Sequence, residues 1–194
     1  IRTFRSRQGN GLHRLAQHYR GLIYSVSATT RRPREGEREG VNYFYKTKEQ
    51  FLSMIEQDEL LEWAEYVGNY YGTPKEFVAK TLSEGKDIIL EIDVQGALKV
   101  KQKFPEGVFI FLLPPTLDEL EQRIVGRGTD SADSIRSRMS TARDELSLVK
   151  HYDYAIVNDR VDLASQRIQS ILTAEHCKKE RVMPKLLKWL EEVH

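Results

Sequence analysis

Apolar and polar positions alternate in three distinct ways along this chain, and the change of period predicts its elements. YSVS (24–27) is a short strand candidate. Residues 28–46 are rich in turn residues and charge, with VNYFYK alternating like a strand. Along TKEQFLSMIEQDE and into the residue after it, Phe51, Leu52, Ile55 and Leu60 are read at helical spacing, and Thr47 is placed to cap the helix. LLEWAEYVGNYYGT reads as extended and turn-rich. PKEFVAKTLSEGK begins with Pro and stops at Gly85, the asymmetry expected of a helix. DIILEID, VFIFLLPP and YAIVND are continuous apolar runs, as in strands buried on both faces. Between them lie QGALKVKQKF, TLDELEQRIVGRG and DSADSIRSRMSTARDELSLVKHYD, all of helical pattern. Thr116 and Glu119 form a capping-box signature. VDLASQRIQSILTAEHCKKERV and the amphipathic MPKLLKWLEEVH complete the helices.

Strands alternating with helices predict a parallel sheet covered on both faces, an α/β fold. Residues 32–86 break the alternation and read as an inserted lobe between core segments 1–31 and 87–194. Ligands in such folds sit beyond the carboxyl ends of the strands. Ser27, Asp93, Asn158 and Asp159 mark those ends here.

Composition narrows the field. The 194 residues suit one domain with an inserted lobe, and 40% hydrophobic content supports a core. Thirty basic residues against 29 acidic ones lack the excess of a general nucleic-acid binder. The single cysteine, Cys177, forms no internal disulfide, which with the absence of a signal pattern predicts a cytoplasmic protein. The longest apolar run is far too short to span a bilayer. The five histidines show no metal spacing. The first residue is not Met, which predicts a fragment or a trimmed chain.

Candidate chemistry gathers in five stretches. SATTRRPREGE concentrates Arg31, Arg32, Arg34 and Arg38 among hydroxyls; a solvated loop is the plain reading, and a two-pronged phosphate grip is the functional one. GNYYGTP offers Tyr71 to an anion and Thr73 to a base edge, or simply packs two tyrosines in a turn. Glu62 upstream can accept from the N1 and N2 edge of guanine. Glu91 and Asp93 at a strand end either cap the next helix or hold Mg²⁺ through water. Arg127 and Arg138 flank a Gly-rich stretch that suits a mobile lid over a phosphoryl group, or ordinary helix punctuation.

In order along the chain, SVSATTRRPREGEREGVNYFY, EWAEYVGNYYGTP, LEIDVQGA, FIFLLPP, GRGTDS and YAIVND resemble guanylate kinase over about residues 24–182. The resemblance implies a P-loop nucleoside-monophosphate kinase core, an inserted GMP-binding lobe at 32–86 and a helical lid at about 126–143. It implies transfer of the γ-phosphoryl of ATP to GMP with Mg²⁺, by a monomer or homodimer, without nucleic acid or membrane. By the same resemblance, Ser27, Arg31, Arg34, Tyr43 and Tyr71 hold the GMP phosphate. Glu62 and Thr73 read guanine, and Glu91 and Asp93 lie near nucleotide and metal. Arg123, Arg127 and Arg138 reach the ATP phosphates, and Asn158 approaches adenine. Asp93, Arg127 and Arg138 are the implied catalytic residues. A guanylate-kinase-like scaffold domain that binds phosphopeptides is the competing reading, and another nucleoside-monophosphate kinase a third.

Ahead of these motifs the family carries a strand and SGPSGVGKG, whose N–H groups cradle phosphate while its Lys reaches the β- and γ-oxygens. This sequence has IRTFRSRQGNG instead, so the first strand and the P-loop are expected to be missing or degraded. Codons allowed for IRTFRSRQGNG, read one base later, can yield Ser-Gly-Pro-Ser-Gly-Val-Gly-Lys-Gly-Thr-Val, and HRL then yields Thr-Ala-Leu. The opening therefore reads as a frameshifted phosphate loop, back in frame before Tyr24. A naturally divergent N-terminus is the competing explanation. Sequencing the encoding DNA decides between them.

Overall fold

The computed structural model describes residues 12, 15–16, 19–125 and 132–192, without the side chains at 123, 124, 132–134 and 185. In chain order come β1 (Leu22–Tyr24), β2 (Ala28–Thr29), β3 (Phe44–Tyr45), α1 (Lys48–Glu56), β4 (Leu60–Tyr66), β5 (Asn69–Pro74), α2 (Lys75–Ser83) and β6 (Asp87–Ile89). There follow α3 (Val94–Lys103), β7 (Ile110–Leu113), α4 (Leu117–Val125), α5 (Ala132–Ser147), a 3₁₀ turn (Leu148–His151), β8 (Tyr154–Val157), α6 (Val161–His176) and α7 (Lys179–Glu192).

The expected parallel strands are present, as two pairs among the described residues. β1 runs parallel to β6 with Tyr24 opposite Ile89, and β7 runs parallel to β8 with Leu113 opposite Val157. Both pairs feed one core, where Leu22, Ile89, Ile110, Leu112 and Ile156 pack with Ile168 of α6. Leu12 and Leu15, ahead of β1, are buried in that core too. Only β7 carries the full two-faced burial read from the sequence. β8 buries Ile156 alone and leaves Val157 exposed. DIILEID is a strand for three residues only, because the backbone then turns so that Asp93 can start α3.

A separate mixed sheet, ordered β3-β2-β5-β4, occupies the middle of the chain. β2 pairs parallel with β3 and antiparallel with β5, and β4 and β5 form a hairpin. Its core is Ala28, Phe51 and Leu60, with Phe51 stacked on Tyr70. α1 carries the Thr47 cap and a complete capping box with Gln50, but it ends at Glu56, so Leu60 belongs to β4. Residues 24–27 do not form one strand; the chain passes there from β1 of the parallel pair to β2 of the mixed sheet.

The hairpin turn is tight. Tyr66 pairs with Asn69, and both intervening residues have positive φ, +49° at Val67 and +70° at Gly68. That geometry fits the strand twist but favours Asn at the first position and disfavours a β-branched residue. Val67 is also 79% exposed, so its side chain gives little back through packing. Val67→Asn is therefore expected to raise stability by roughly 1 kcal/mol in urea unfolding.

Helix α3 joins the mixed sheet to the parallel strands. The Lys103 ammonium donates to the Leu61 carbonyl (3.2 Å), and Lys99 lies 5.6 Å from the centre of the Trp63 ring. Among the described residues no helix is long and apolar enough to cross a membrane.

Candidate active site

Two clusters of polar side chains arise from this framework. The first gathers on the mixed sheet around Glu37. Its carboxylate accepts two hydrogen bonds from Arg31 (2.8 and 2.9 Å), one from the Arg34 backbone N–H (2.8 Å) and one from the Tyr45 hydroxyl (2.8 Å). Burial would raise the Glu37 pKa, but these donors outweigh it and hold the group at about 2. Arg31 is thereby fixed, its guanidinium 5.3 Å from the Tyr43 ring centre. Tyr43 in turn meets Tyr71 edge-on and Tyr45 at a tilt, at centroid distances of 6.1 and 5.9 Å. Arg31, Tyr43 and Tyr71 thus lie together. Arg34 joins through its backbone and keeps an exposed side chain. Ser27 ties this region to β3 by accepting the Phe44 N–H (2.9 Å).

The second cluster lies where β4 and β5 meet α3. Antiparallel pairing brings Glu62 and Thr73 together, and the Thr73 hydroxyl donates to Glu62 Oε1 at 2.6 Å. Both are buried, at 7% and 1% exposure. Burial pushes the Glu62 carboxyl up from its ordinary value; the Thr73 bond opposes that, the Asp93 charge adds to it, and Lys99 offsets it. A small cavity beside the pair is lined by Trp63, Lys99, Lys103 and Asp58 among others.

Asp93 occupies the helix-capping alternative: its side chain accepts the Gly96 N–H at 2.7 Å as the N-cap of α3. Glu91 accepts the Tyr24 hydroxyl, which links the ends of β6 and β1. The two carboxylates therefore do not share one face of a strand, because β6 ends at Ile89. Asn158 is buried after β8, where its backbone N–H donates to Leu113 (2.8 Å). Arg138 is half-buried on α5. The Arg123 side chain and Arg127 lie outside the described residues.

Among the described residues no three His, Cys, Asp or Glu side chains gather as a metal cage. Mg²⁺ needs none, since one or two carboxylates plus substrate phosphates suffice. Asp93 and Glu91 fit that requirement in kind.

A family model described as guanylate kinase matches residues 6–175. The chain belongs to the guanylate kinase family. A guanylate kinase of Halalkalibacterium halodurans is 60% identical over 177 residues, covering 91% of this chain and 87% of that protein. The guanylate kinase of Bacillus subtilis strain 168 is 56% identical over 168 residues, covering 87% and 82%. Among solved structures, guanylate kinase from Anaplasma phagocytophilum aligns with a TM-score of 0.73 and 34% identity, over 90% of this chain and 85% of that one. Family membership places the paired strands and their helices in a P-loop NTPase-like α/β fold, as the resemblance implied.

Glu37 and Tyr45 complete the first cluster, and neither stands out in the sequence. PREGE signalled charge, but only the folded loop shows which carboxylate faces the arginine.

Proposed function

We propose that the chain binds GMP as a guanylate kinase does and carries the remaining machinery for passing it a phosphoryl group from ATP, without the phosphate loop that turnover needs. In this reading residues 32–86 serve as the GMP lobe and the stretch at about 126–143 as the lid. Ser27, Arg31, Arg34, Tyr43 and Tyr71 take the GMP phosphate. Glu62 accepts from the guanine N1–H and 2-amino group, with Thr73 beside it, and Glu91 borders the nucleotide. The observation that carries this reading is the buried Glu62–Thr73 pair: a desolvated carboxylate needs donors, and a guanine edge supplies two.

In the proposed reaction an oxygen of the GMP phosphate attacks the γ-phosphorus of ATP. The new P–O bond forms as the β,γ bridge breaks, and ADP leaves with the bridging oxygen. The protein aligns the reactants and neutralises charge. Arg127 and Arg138 stabilise the transferring group, Arg123 and Asn158 contact ATP, and Asp93 with Glu91 would hold Mg²⁺. When bound, Mg²⁺ spreads the negative charge of the phosphates.

The stated sequence contains no GxxxxGK[ST] loop. That observation favours a second reading, a phosphopeptide-binding domain without catalysis. Calorimetry with GMP, ATP and a phosphoserine peptide separates the two, and preference for the peptide over GMP would sink the first. In the same experiment Arg34→Ala is expected to weaken GMP by roughly 1.5–3 kcal/mol, the scale of a charged hydrogen bond. A change within error removes Arg34 from the site.

A further inference from the structure

Gly96 sits in the first turn of α3, a position where its backbone has no need of glycine. It is not among the positive-φ residues, and glycine is disfavoured inside a helix. Space accounts for it. A Cβ at Gly96 would lie 2.8 Å from Glu62 Oε2 and 3.3 Å from its Cδ, and 3.2 Å from Asp93 Oδ1. The same residue's N–H holds Asp93 Oδ1. Gly96 therefore borders both the carboxylate of β4 and the cap of α3.

Thr73 anchors the Glu62 carboxylate, with its hydroxyl 2.6 Å from Oε1 and its backbone N–H also donating to the side chain. A methyl group at Gly96 would push against Oε2, the far end of a side chain, rather than against backbone. The fold can absorb that by turning the carboxylate. The turn withdraws Oε2 and strains the Thr73 bond, so recognition suffers where stability does not.

We infer that Gly96 is a positioning residue for guanine specificity: its missing Cβ lets α3 press close behind Glu62 and fixes the direction in which that carboxylate faces the base. This rests on the reading of Glu62 as the guanine acceptor. Specificity is then set partly by helix α3, outside the sheet that carries Glu62 and Thr73.

The test is calorimetry of GMP and inosine monophosphate, which lacks the 2-amino group, on the full chain with thermal unfolding alongside. The proteins are the present sequence, Glu62→Gln, Gly96→Ala and the double variant. Gly96→Ala is expected to reduce the GMP-over-inosine preference by about tenfold or more, the scale of one hydrogen bond to a charged group, with its melting temperature held. The double variant should lose no more preference than Glu62→Gln alone, because both changes act through one carboxylate. If Glu62→Gln abolishes the preference while Gly96→Ala keeps it, the inference fails and the Glu62 reading stands. If Gly96→Ala weakens both nucleotides equally and lowers the melting temperature, Gly96 is a packing residue and the inference fails. If Glu62→Gln leaves the preference intact, the Glu62 reading itself is overturned, and this inference with it.

Discussion

No measurable transfer from ATP to GMP is expected from this chain in a coupled ADP-release assay. The stated sequence has no glycine-rich N–H cradle and no loop Lys for the ATP phosphates. Loss of one such donor costs on the order of a hundredfold or more in rate. Several are absent together, and groups that act as a unit do not combine additively. ATP binding is expected to be weak for the same reason. Replacing residues 1–15 with a strand and SGPSGVGKGTV should restore both ATP binding and turnover. The structure adds a condition, because Leu12 and Leu15 are buried against Leu22, Ile110 and Ile168. The replacement must return apolar side chains to that place, or the gain at the phosphates is lost in the core. Normal turnover by the present chain would mean that Arg2, Arg5 or Arg7 already serves the phosphates, and the frameshift reading would fall.

Glu37→Gln is expected to lower stability at pH 7 by about 2–3 kcal/mol. The carboxyl is held at about 2 against an ordinary 4.5, and a difference of that size is worth on the order of 3 kcal/mol. The folded value is the depressed one. The stabilisation is therefore complete above pH 4.5 and is lost as pH falls from there toward 2. Urea unfolding of both proteins at stepwise pH checks the sign: their difference should shrink below pH 4.5. A difference that stayed constant down to pH 2.5 would show that Arg31 and Tyr45 hold the loop without the charge. GMP should weaken in parallel, since Glu37 is what orients Arg31 beside Tyr43.

Local signals in the sequence were reliable where they concern one turn of chain. Thr47 and Thr116 cap the helices that they precede, and Gly85 at φ +70° ends the segment begun by Pro74. These depend on neighbours three or four residues away. The hairpin at 60–74 was legible only as extended chain, because its turn uses Val67, a residue with no preference for positive φ. DIILEID shows the reverse error: an apolar run implies burial, but Asp93 spends its side chain on the α3 N-terminus and the strand stops early. Within the candidate site, Arg31, Tyr43 and Tyr71 lie together, and so do Glu62 and Thr73. Glu37 was hidden among the charges of one loop. Its role depends on a fold-level encounter with Tyr45, eight residues on, that no periodicity encodes.

Lys99 resting over Trp63 also gives the protein an optical reporter. That indole sits one residue from Glu62, with a cation 5.6 Å from its ring centre and about a third of its surface open. The other tryptophan, Trp189, is on α7 and 61% exposed, so it contributes a solvent-like background. Exchanging Trp189 for Phe leaves a single tryptophan, whose colour and brightness on red-edge excitation answer to the electrostatics beside the buried carboxylate. Occupancy of that neighbourhood then becomes visible in the spectrum of the unlabelled protein, with no turnover required.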